Sequence, residues 1–367
     1  MTDITLPSDL IPTDGRFGCG PSKVRPEQLA RVADAASPMG TSHRQSAVKG
    51  LVGSVRERVA ELFRIPEGYE VLLANGGSTS FWDAAAFGLI EQRSHHLSFG
   101  EFGAKFAKAA DAAPWLDAPS VAVAEPGSRP VLSPVDGVDT VAYPHNETST
   151  GVFHPVTRAT GAALTVVDAT SAAGGLDFDA ADADVYYFAP QKNFGSDGAL
   201  WLALASPAAI DRIERIAASD RYIPDSLSLQ QAVTNSRLNQ TLNTPAIATL
   251  LMLDEQLGWM LEQGGLAAMA ERTAASSSLL YSWAEASAVA APFVTDPDHR
   301  SNVVVTIDFD ESVDAAGLAK TLRANGILDV EPYRKLGRNQ LRVATFAGIE
   351  TDDIRTLIGA IDYVLSA

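Results

Sequence analysis

The sequence predicts an α/β fold: a large domain whose mostly parallel sheet is covered by helices, followed by a smaller α+β domain at the C-terminus. Three observations predict it. Short apolar runs alternate with amphipathic helical segments between residues 50 and 218, the order that builds a parallel sheet with helical crossovers. Several of the runs are continuously apolar, such as Leu200-Trp201-Leu202-Ala203-Leu204, which suits strands covered on both faces. Beyond residue 243 the pattern changes to two long helices and then strand, helix, strand and helix.

In chain order, a helix over 50–63 leads to a strand over 69–74, a helix over 79–91, a strand over 96–99 and a helix over 101–112. Strands follow over 121–124, 140–143, 164–168, 185–189 and 200–205, the last running into a helix over 207–218. Asn243-Thr244-Pro245 opens a long helix to about residue 263, with Thr244 placed to cap it and Pro245 in the first turn, where a missing N–H is tolerated. Gly264-Gly265 stops it, and a second long helix runs to about residue 288. A strand over 303–309, a helix over 315–325 stopped by Gly326, a strand over 340–344 and a helix from Asp352 follow. The expected division is a large domain over 17–262 and a small one over 263–367, with segment 1–16 packing on the small one. No repeat, low-complexity tract or long linker interrupts this order.

Composition narrows the function. Of 367 residues, 46% are apolar and 20% charged, the balance of a soluble globular enzyme. No stretch approaches the roughly 18 consecutive apolar residues of a membrane span, and Met1-Thr2-Asp3-Ile4-Thr5 lacks the basic start and apolar core of a signal peptide. Cys19 is the single cysteine, so no internal disulfide is available and a reducing cytoplasm is expected. A net charge of −17 speaks against nucleic acid or an anionic membrane as partner. A small anionic substrate stays open where arginines gather locally.

Lys192 is the most informative residue. It follows the apolar run Val185-Tyr186-Tyr187-Phe188-Ala189 and sits in Pro190-Gln191-Lys192-Asn193-Phe194-Gly195, a place where a lysine packs badly. The preceding strand, Leu164-Thr165-Val166-Val167-Asp168, ends on a carboxylate. Either residue alone reads as a surface lysine or a strand-end aspartate. Together they supply what pyridoxal phosphate requires: an amine for a Schiff base and an anion that keeps the pyridine nitrogen protonated. Leu73-Ala74-Asn75-Gly76-Gly77-Ser78-Thr79 adds a strand running through two glycines into a helix start, whose free N–H groups suit a phosphate or form an ordinary N-cap. No Walker loop or dinucleotide fingerprint is present, and the six histidines fall in no metal-binding spacing, so no metal is expected. Adjacent His95 and His96 would point to opposite sides of a strand.

On these segments, and on Phe17-Gly18-Cys19-Gly20-Pro21-Ser22-Lys23, Gly40-Thr41-Ser42-His43-Arg44, His145-Asn146-Glu147-Thr148-Ser149-Thr150-Gly151 and Tyr333-Arg334-Lys335-Leu336-Gly337-Arg338-Asn339-Gln340-Leu341-Arg342, the chain resembles the phosphoserine aminotransferases. These are class V members of the fold-type I pyridoxal phosphate transferases, and the likeness is to their actinobacterial form. The resemblance implies Lys192 as the Schiff-base lysine, Asp168 as partner of the pyridine nitrogen, and Gly77, Ser78 and Gln191 as holders of the cofactor phosphate. It also implies Thr148 near the ring oxygen and Phe102 stacked on the ring, where the family usually has tryptophan; phenylalanine keeps the stacking face and loses the indole N–H. Asn243 and Thr244 would reach the cofactor phosphate of a neighbouring subunit, which implies a homodimer with shared sites. Many family members carry arginine directly after the glycine turn, where Ser78 or Thr79 stands here; that charge is either missing or supplied from elsewhere, with Arg334, Lys335 and Arg338 as the candidates.

Substrate residues can also be argued from chemistry. An α-carboxylate is best held by a bidentate arginine, and Arg342, alternating with apolar neighbours on its strand, is a candidate, the alternative being a solvated strand face. His43 and Arg44 could take a phosphate ester or side-chain carboxylate, or form surface salt bridges. Arg334, Lys335 and Arg338 could join them or form a plain basic turn. The implied activity is transamination between L-glutamate and 3-phosphohydroxypyruvate, giving O-phospho-L-serine and 2-oxoglutarate in serine biosynthesis. The alternatives are an alanine–glyoxylate or serine–pyruvate type aminotransferase, which needs no basic phosphate pocket, and a non-catalytic cofactor-binding regulator. A cysteine desulfurase would need a nucleophilic cysteine far downstream of Lys192, and none exists.

Overall fold

The structure, a computed structural model, describes residues 4–367; residues 1–3, part of the segment expected on the small domain and of the N-terminus read as lacking a signal, lie outside the described residues. Two helices, α1 (Pro26–Ala33) and α2 (Ser46–Leu62), precede the sheet. Then come β1 (Glu70–Asn75), α3 (Ser78–Gly88), β2 (Ser94–Ser98), α4 (Glu101–Asp111), β3 (Ser120–Val123) and β4 (Thr140–Pro144). The short antiparallel pair β5 (Asn146–Glu147) and β6 (Val152–Phe153) interrupts the order before β7 (Leu164–Asp168), β8 (Val185–Phe188) and β9 (Leu200–Ala205).

These strands form a seven-stranded sheet in the order β1-β9-β8-β7-β4-β2-β3. Only β9 runs against its neighbours, β1 and β8; the remaining pairs are parallel. Successive side chains on a strand face opposite ways, and here both ways are apolar. Leu73, Val141, Val167, Tyr186 and Leu202 enter one buried layer. Their neighbours Leu72, Ala142, Val166, Tyr187 and Ala203 enter the other. At about 1.5–3 kcal/mol for each fully buried large apolar side chain, these two layers rather than helix propensity hold the sheet.

The first layer is closed by α2 together with α7 (Ile247–Glu262) and α8 (Gly265–Ala286). The second is closed by α3, α4, α5 (Pro207–Ala217) and α6 (Leu229–Arg237). Helix α5 begins on Ser206, whose hydroxyl accepts from the Ala209 N–H, with Pro207 in the first turn. The C-terminal part adds a three-stranded antiparallel sheet, β10 (Ala290–Pro292), β11 (Val304–Phe309) and β12 (Gln340–Ala344), with α9 (Ala315–Ala324) and α10 (Thr351–Ser366). Residues of the N-terminal segment bond to it: Leu6 N–H to Asn325 Oδ1 at 2.9 Å and Thr13 N–H to Asp353 Oδ1 at 2.8 Å.

Two expectations need correction. The long helix starts at Ile247 after an Ala246 cap, not at Thr244. Thr244, Pro245 and Ala246 lie outside the helix, and Thr244 Oγ1 hydrogen-bonds to His43 Nδ1 at 3.0 Å. Helices α1 and α6 were not anticipated. Helix α6 reads Leu-Gln-Gln-Ala-Val-Thr-Asn-Ser-Arg, with too few apolar residues for a clear period, yet Ser228 caps it through the Gln231 N–H.

Candidate active site

The carboxyl ends of β1, β2, β4, β7 and β8 point to one edge of the sheet, where open α/β folds place their ligands. A cavity of about 210 Å³ opens there, lined by Gly77, Ser78, Thr79, Trp82, Phe102, Asn146, Thr148, Asp168, Thr170, Gln191 and Lys192. Seven residues expected in the cofactor site are thus brought together. Each arrives on the loop after a strand or the first turn of a helix: Gly77 and Ser78 at the start of α3, Phe102 at the start of α4, Thr148 after β5, Asp168 at the end of β7, and Gln191 and Lys192 after β8.

Lys192 is 9% exposed, and its Nζ donates to the Cys19 carbonyl. Burial lowers its ammonium pKa to about 8, helped by the Arg342 charge and opposed by Asp168 and Glu147. The lysine lies against Gly20, where a Cβ would come within 2.2 Å of Nζ and where φ is +121°; only glycine fits that backbone beside that amine. Ser22 fixes the segment from the other side, its N–H donating to the Gln191 carbonyl at 2.9 Å and its hydroxyl to the Lys192 carbonyl.

Asp168 is buried, which raises its carboxyl pKa against the pull of its hydrogen bonds. Thr170 donates twice to Oδ1, from its N–H at 2.9 Å and its hydroxyl at 2.6 Å. Trp82 Nε1 lies 3.4 Å from Oδ2 and 2.8 Å from the Tyr187 hydroxyl, which itself bonds to Asp168. A carboxylate so oriented presents a fixed anion at the cavity wall. Ser78 Oγ and Thr170 Oγ1 share a hydrogen bond at 2.5 Å, linking the α3 start to this network.

Two of the lining amides carry buried oxygens without a partner, Asn146 Oδ1 and Gln191 Oε1. Unpaired buried polar atoms are rare unless a ligand or water completes them. With a neutralisable amine, a fixed carboxylate, an aromatic wall and the N–H groups at the start of α3, the donor set fits pyridoxal phosphate.

Other expected residues lie elsewhere. Arg342 Nη1 donates to the Thr148 carbonyl at 2.9 Å and its guanidinium sits 5.4 Å from the Tyr333 ring centre, beside the cavity rather than in its lining; its buried Nε has no partner. His43, Arg44 and Thr244 stand outside the lining, with Asn243 next to Thr244 in the chain: Arg44 reaches Asn235, Gln240 and the Leu242 carbonyl, His43 meets Thr244, and the Asn243 carbonyl accepts from the Thr241 hydroxyl. Lys335 pairs with Glu101, and Arg338 pairs with Asp308 and covers the Phe293 ring. Lys335 and Arg338 thus each pair with a carboxylate and Arg334 is exposed, and none of the three is in the cavity lining.

Sequence reasoning missed Trp82, Thr170, Tyr187 and Asn146. A signal existed for Trp82, because it falls one helical turn after Ser78 and faces the same way, and a buried indole N–H demands an acceptor.

Residues 128–329 match the family model described as aminotransferase class V. The fold and the lysine–aspartate cavity are of that kind, and the chain belongs to the class V aminotransferases and, within them, to the phosphoserine aminotransferase family. Phosphoserine aminotransferase of Corynebacterium glutamicum (strain R) is 61% identical over 369 residues, spanning 100% of this chain and 98% of that protein. Among solved structures, phosphoserine aminotransferase of Cytophaga hutchinsonii superposes with a TM-score of 0.88 at 22% identity, covering 96% of this chain and 99% of its own. The PLP-bound phosphoserine aminotransferase of Trichomonas vaginalis gives 0.80 at 19% identity, with 95% and 99% coverage. At those identities the two structures share the fold.

Proposed function

We propose that this chain transfers the amino group of L-glutamate to 3-phosphohydroxypyruvate, giving O-phospho-L-serine and 2-oxoglutarate, with pyridoxal 5'-phosphate as cofactor. The observation that carries the reading is the single cavity in which Lys192 and Asp168 meet the start of α3, in a chain 61% identical to a phosphoserine aminotransferase. When bound, the cofactor supplies an electron-accepting ring that stabilises charge developing on the substrate α-carbon.

Lys192 would hold the cofactor through Nζ, and its free amine would carry a proton at that nitrogen. A pKa lowered to about 8 leaves a usable fraction of free amine near neutral pH. Asp168 Oδ2 would offer its charge to the ring nitrogen, while Thr170 keeps Oδ1 occupied. Phe102 would cover a ring face, Thr148 would meet the ring oxygen, and the Gly77 and Ser78 backbone with Gln191 would receive the phosphate. Arg342 takes the α-carboxylate, the group common to both amino acids.

His43 and Arg44 receive the substrate phosphate, and Asn243 and Thr244 the cofactor phosphate, across a homodimer interface. Support for this lies in their position outside the chain's own cavity lining. The working division is a cofactor domain over 17–262 and a small domain over 263–367 with segment 1–16, the boundary falling at the end of α7. A cytoplasmic location is the reading suggested by a lone, buried, unpaired cysteine.

The test is a panel of 2-oxo acids offered to the pyridoxamine form. Phosphohydroxypyruvate and 2-oxoglutarate should return it to the aldehyde form far faster than glyoxylate or pyruvate. Preference for glyoxylate or pyruvate would turn the reading to the unphosphorylated type.

A further inference from the structure

We infer that Glu147 is a positioning residue that pins the first turn of α4 and thereby holds Phe102 as one wall of the cofactor cavity. The inference rests on the reading of Phe102 as the ring-stacking residue.

Glu147 is fully buried and forms no ion pair among the described residues. Its carboxylate is nevertheless filled with donors. Oε2 accepts from the Phe102 and Gly103 N–H groups, each at 3.0 Å. Oε1 accepts from the Ser149 N–H at 3.2 Å and from its hydroxyl at 2.7 Å. Ser149 Oγ in turn accepts from the Glu101 N–H at 3.0 Å. The first three N–H groups of α4, which no helix can satisfy internally, thus all end on Glu147 or Ser149, and the positive helix end faces an anion.

This is an unusual way to cap a helix. A serine or aspartate at residue 100 would ordinarily cap the helix locally, its side-chain oxygen accepting from the second or third N–H. Instead residue 100 is glycine, and a Cβ there would fall 2.4 Å from Glu147 Cγ, so the cap position is kept empty to admit a distant carboxylate. Burying that carboxylate is costly unless its hydrogen bonds are complete, and burial indeed raises its pKa.

The position of Glu147 in the chain explains what the arrangement achieves. Its neighbours Asn146 and Thr148 line the cavity on one side, and Phe102 lines it on another. The carboxylate therefore ties two cavity walls together. The Phe102 ring is half-buried and packs against the second buried layer, with Tyr333 6.2 Å away at 56° and Lys105 Nζ 5.4 Å above it. Packing holds the ring from one side, and Glu147 fixes the backbone from which the ring projects.

The test measures the dissociation constant of pyridoxal phosphate and the visible circular dichroism of the bound cofactor in the holoenzyme. The variants are Phe102→Ala, Glu147→Ala, Glu147→Gln and the Phe102→Ala/Glu147→Ala double. Phe102→Ala and Glu147→Ala should each weaken binding about tenfold and reduce the dichroism, and the double should be no weaker than the stronger single. Glu147→Gln should fall between, because an amide keeps one accepting oxygen. If Phe102→Ala binds cofactor normally, the stacking reading fails first. If Phe102→Ala weakens binding but Glu147→Ala does not, or their effects multiply in the double, stacking stands and the positioning role is overturned. Should Glu147→Ala fail to fold, Ser149→Ala decides: a loss of about threefold that vanishes in the Phe102→Ala background supports the inference, and unchanged binding overturns it.

Discussion

Lys192 carries the chemistry because burial has made it a weaker base. In an unfolded chain its pKa is near the ordinary lysine value of 10.5, and in the fold it is about 8. Between those values the unfolded chain binds more protons, so stability of the cofactor-free protein should rise with pH from about 8 to about 10.5. The same shift predicts that the rate of covalent cofactor capture by the apoprotein increases as pH rises through about 8 and then levels off, which stopped-flow absorbance would follow. A rate rising only near the ordinary lysine value would contradict the buried setting. Asp168→Asn should still bind cofactor but turn over at least about a hundredfold more slowly, roughly 2.7 kcal/mol in the barrier, measured by steady-state assay. Lys192 and Asp168 were legible because each ends a strand-like run on an ionisable residue that packing disfavours. Tyr187 was not, because only the fold brings it to Trp82, while Thr170, two residues from Asp168, and Trp82, one turn after Ser78, left local signals that were overlooked.

Element boundaries were legible where one period dominates. The strand over 340–344 coincides with β12, and 164–168 and 200–205 coincide with β7 and β9, because short apolar runs between turns leave little choice of register. Helices with few apolar positions were lost. In α1 the single buried side chain is Gln28, which bonds to the Phe194 carbonyl, Ser196 and the Met252 carbonyl, a role no hydropathy pattern reveals. The start of α7 was misread because Thr244-Pro245 looks like a cap and first turn, whereas residues 244–246 lie outside the helix and Ala246 takes the cap position. Ser206 keeps its capping bond to α5 and a second bond to Asp184. Ser206→Ala should therefore cost about 1–2 kcal/mol, read as a lower denaturation midpoint, with cofactor binding unchanged.

On the scale of the whole molecule, the strand order brings five loops to one sheet edge and leaves the His43–Thr244 cluster outside the resulting cavity. If that cluster completes the partner's site, as a two-fold interface would allow, complementation should reveal it. Co-expressing Lys192→Ala with the double variant Asn243→Ala/Thr244→Ala should give mixed dimers with one whole site and activity restored to at most about half. No recovery in proven heterodimers, with both parents impaired, would assign Asn243 and Thr244 to their own subunit. The claim on which all of this depends is that Lys192 is the amine that takes the cofactor, and borohydride reduction of the holoenzyme followed by peptide mapping tests it most directly. The account predicts one pyridoxyl adduct, on Lys192; an adduct on any other lysine, or none after reconstitution, would contradict it.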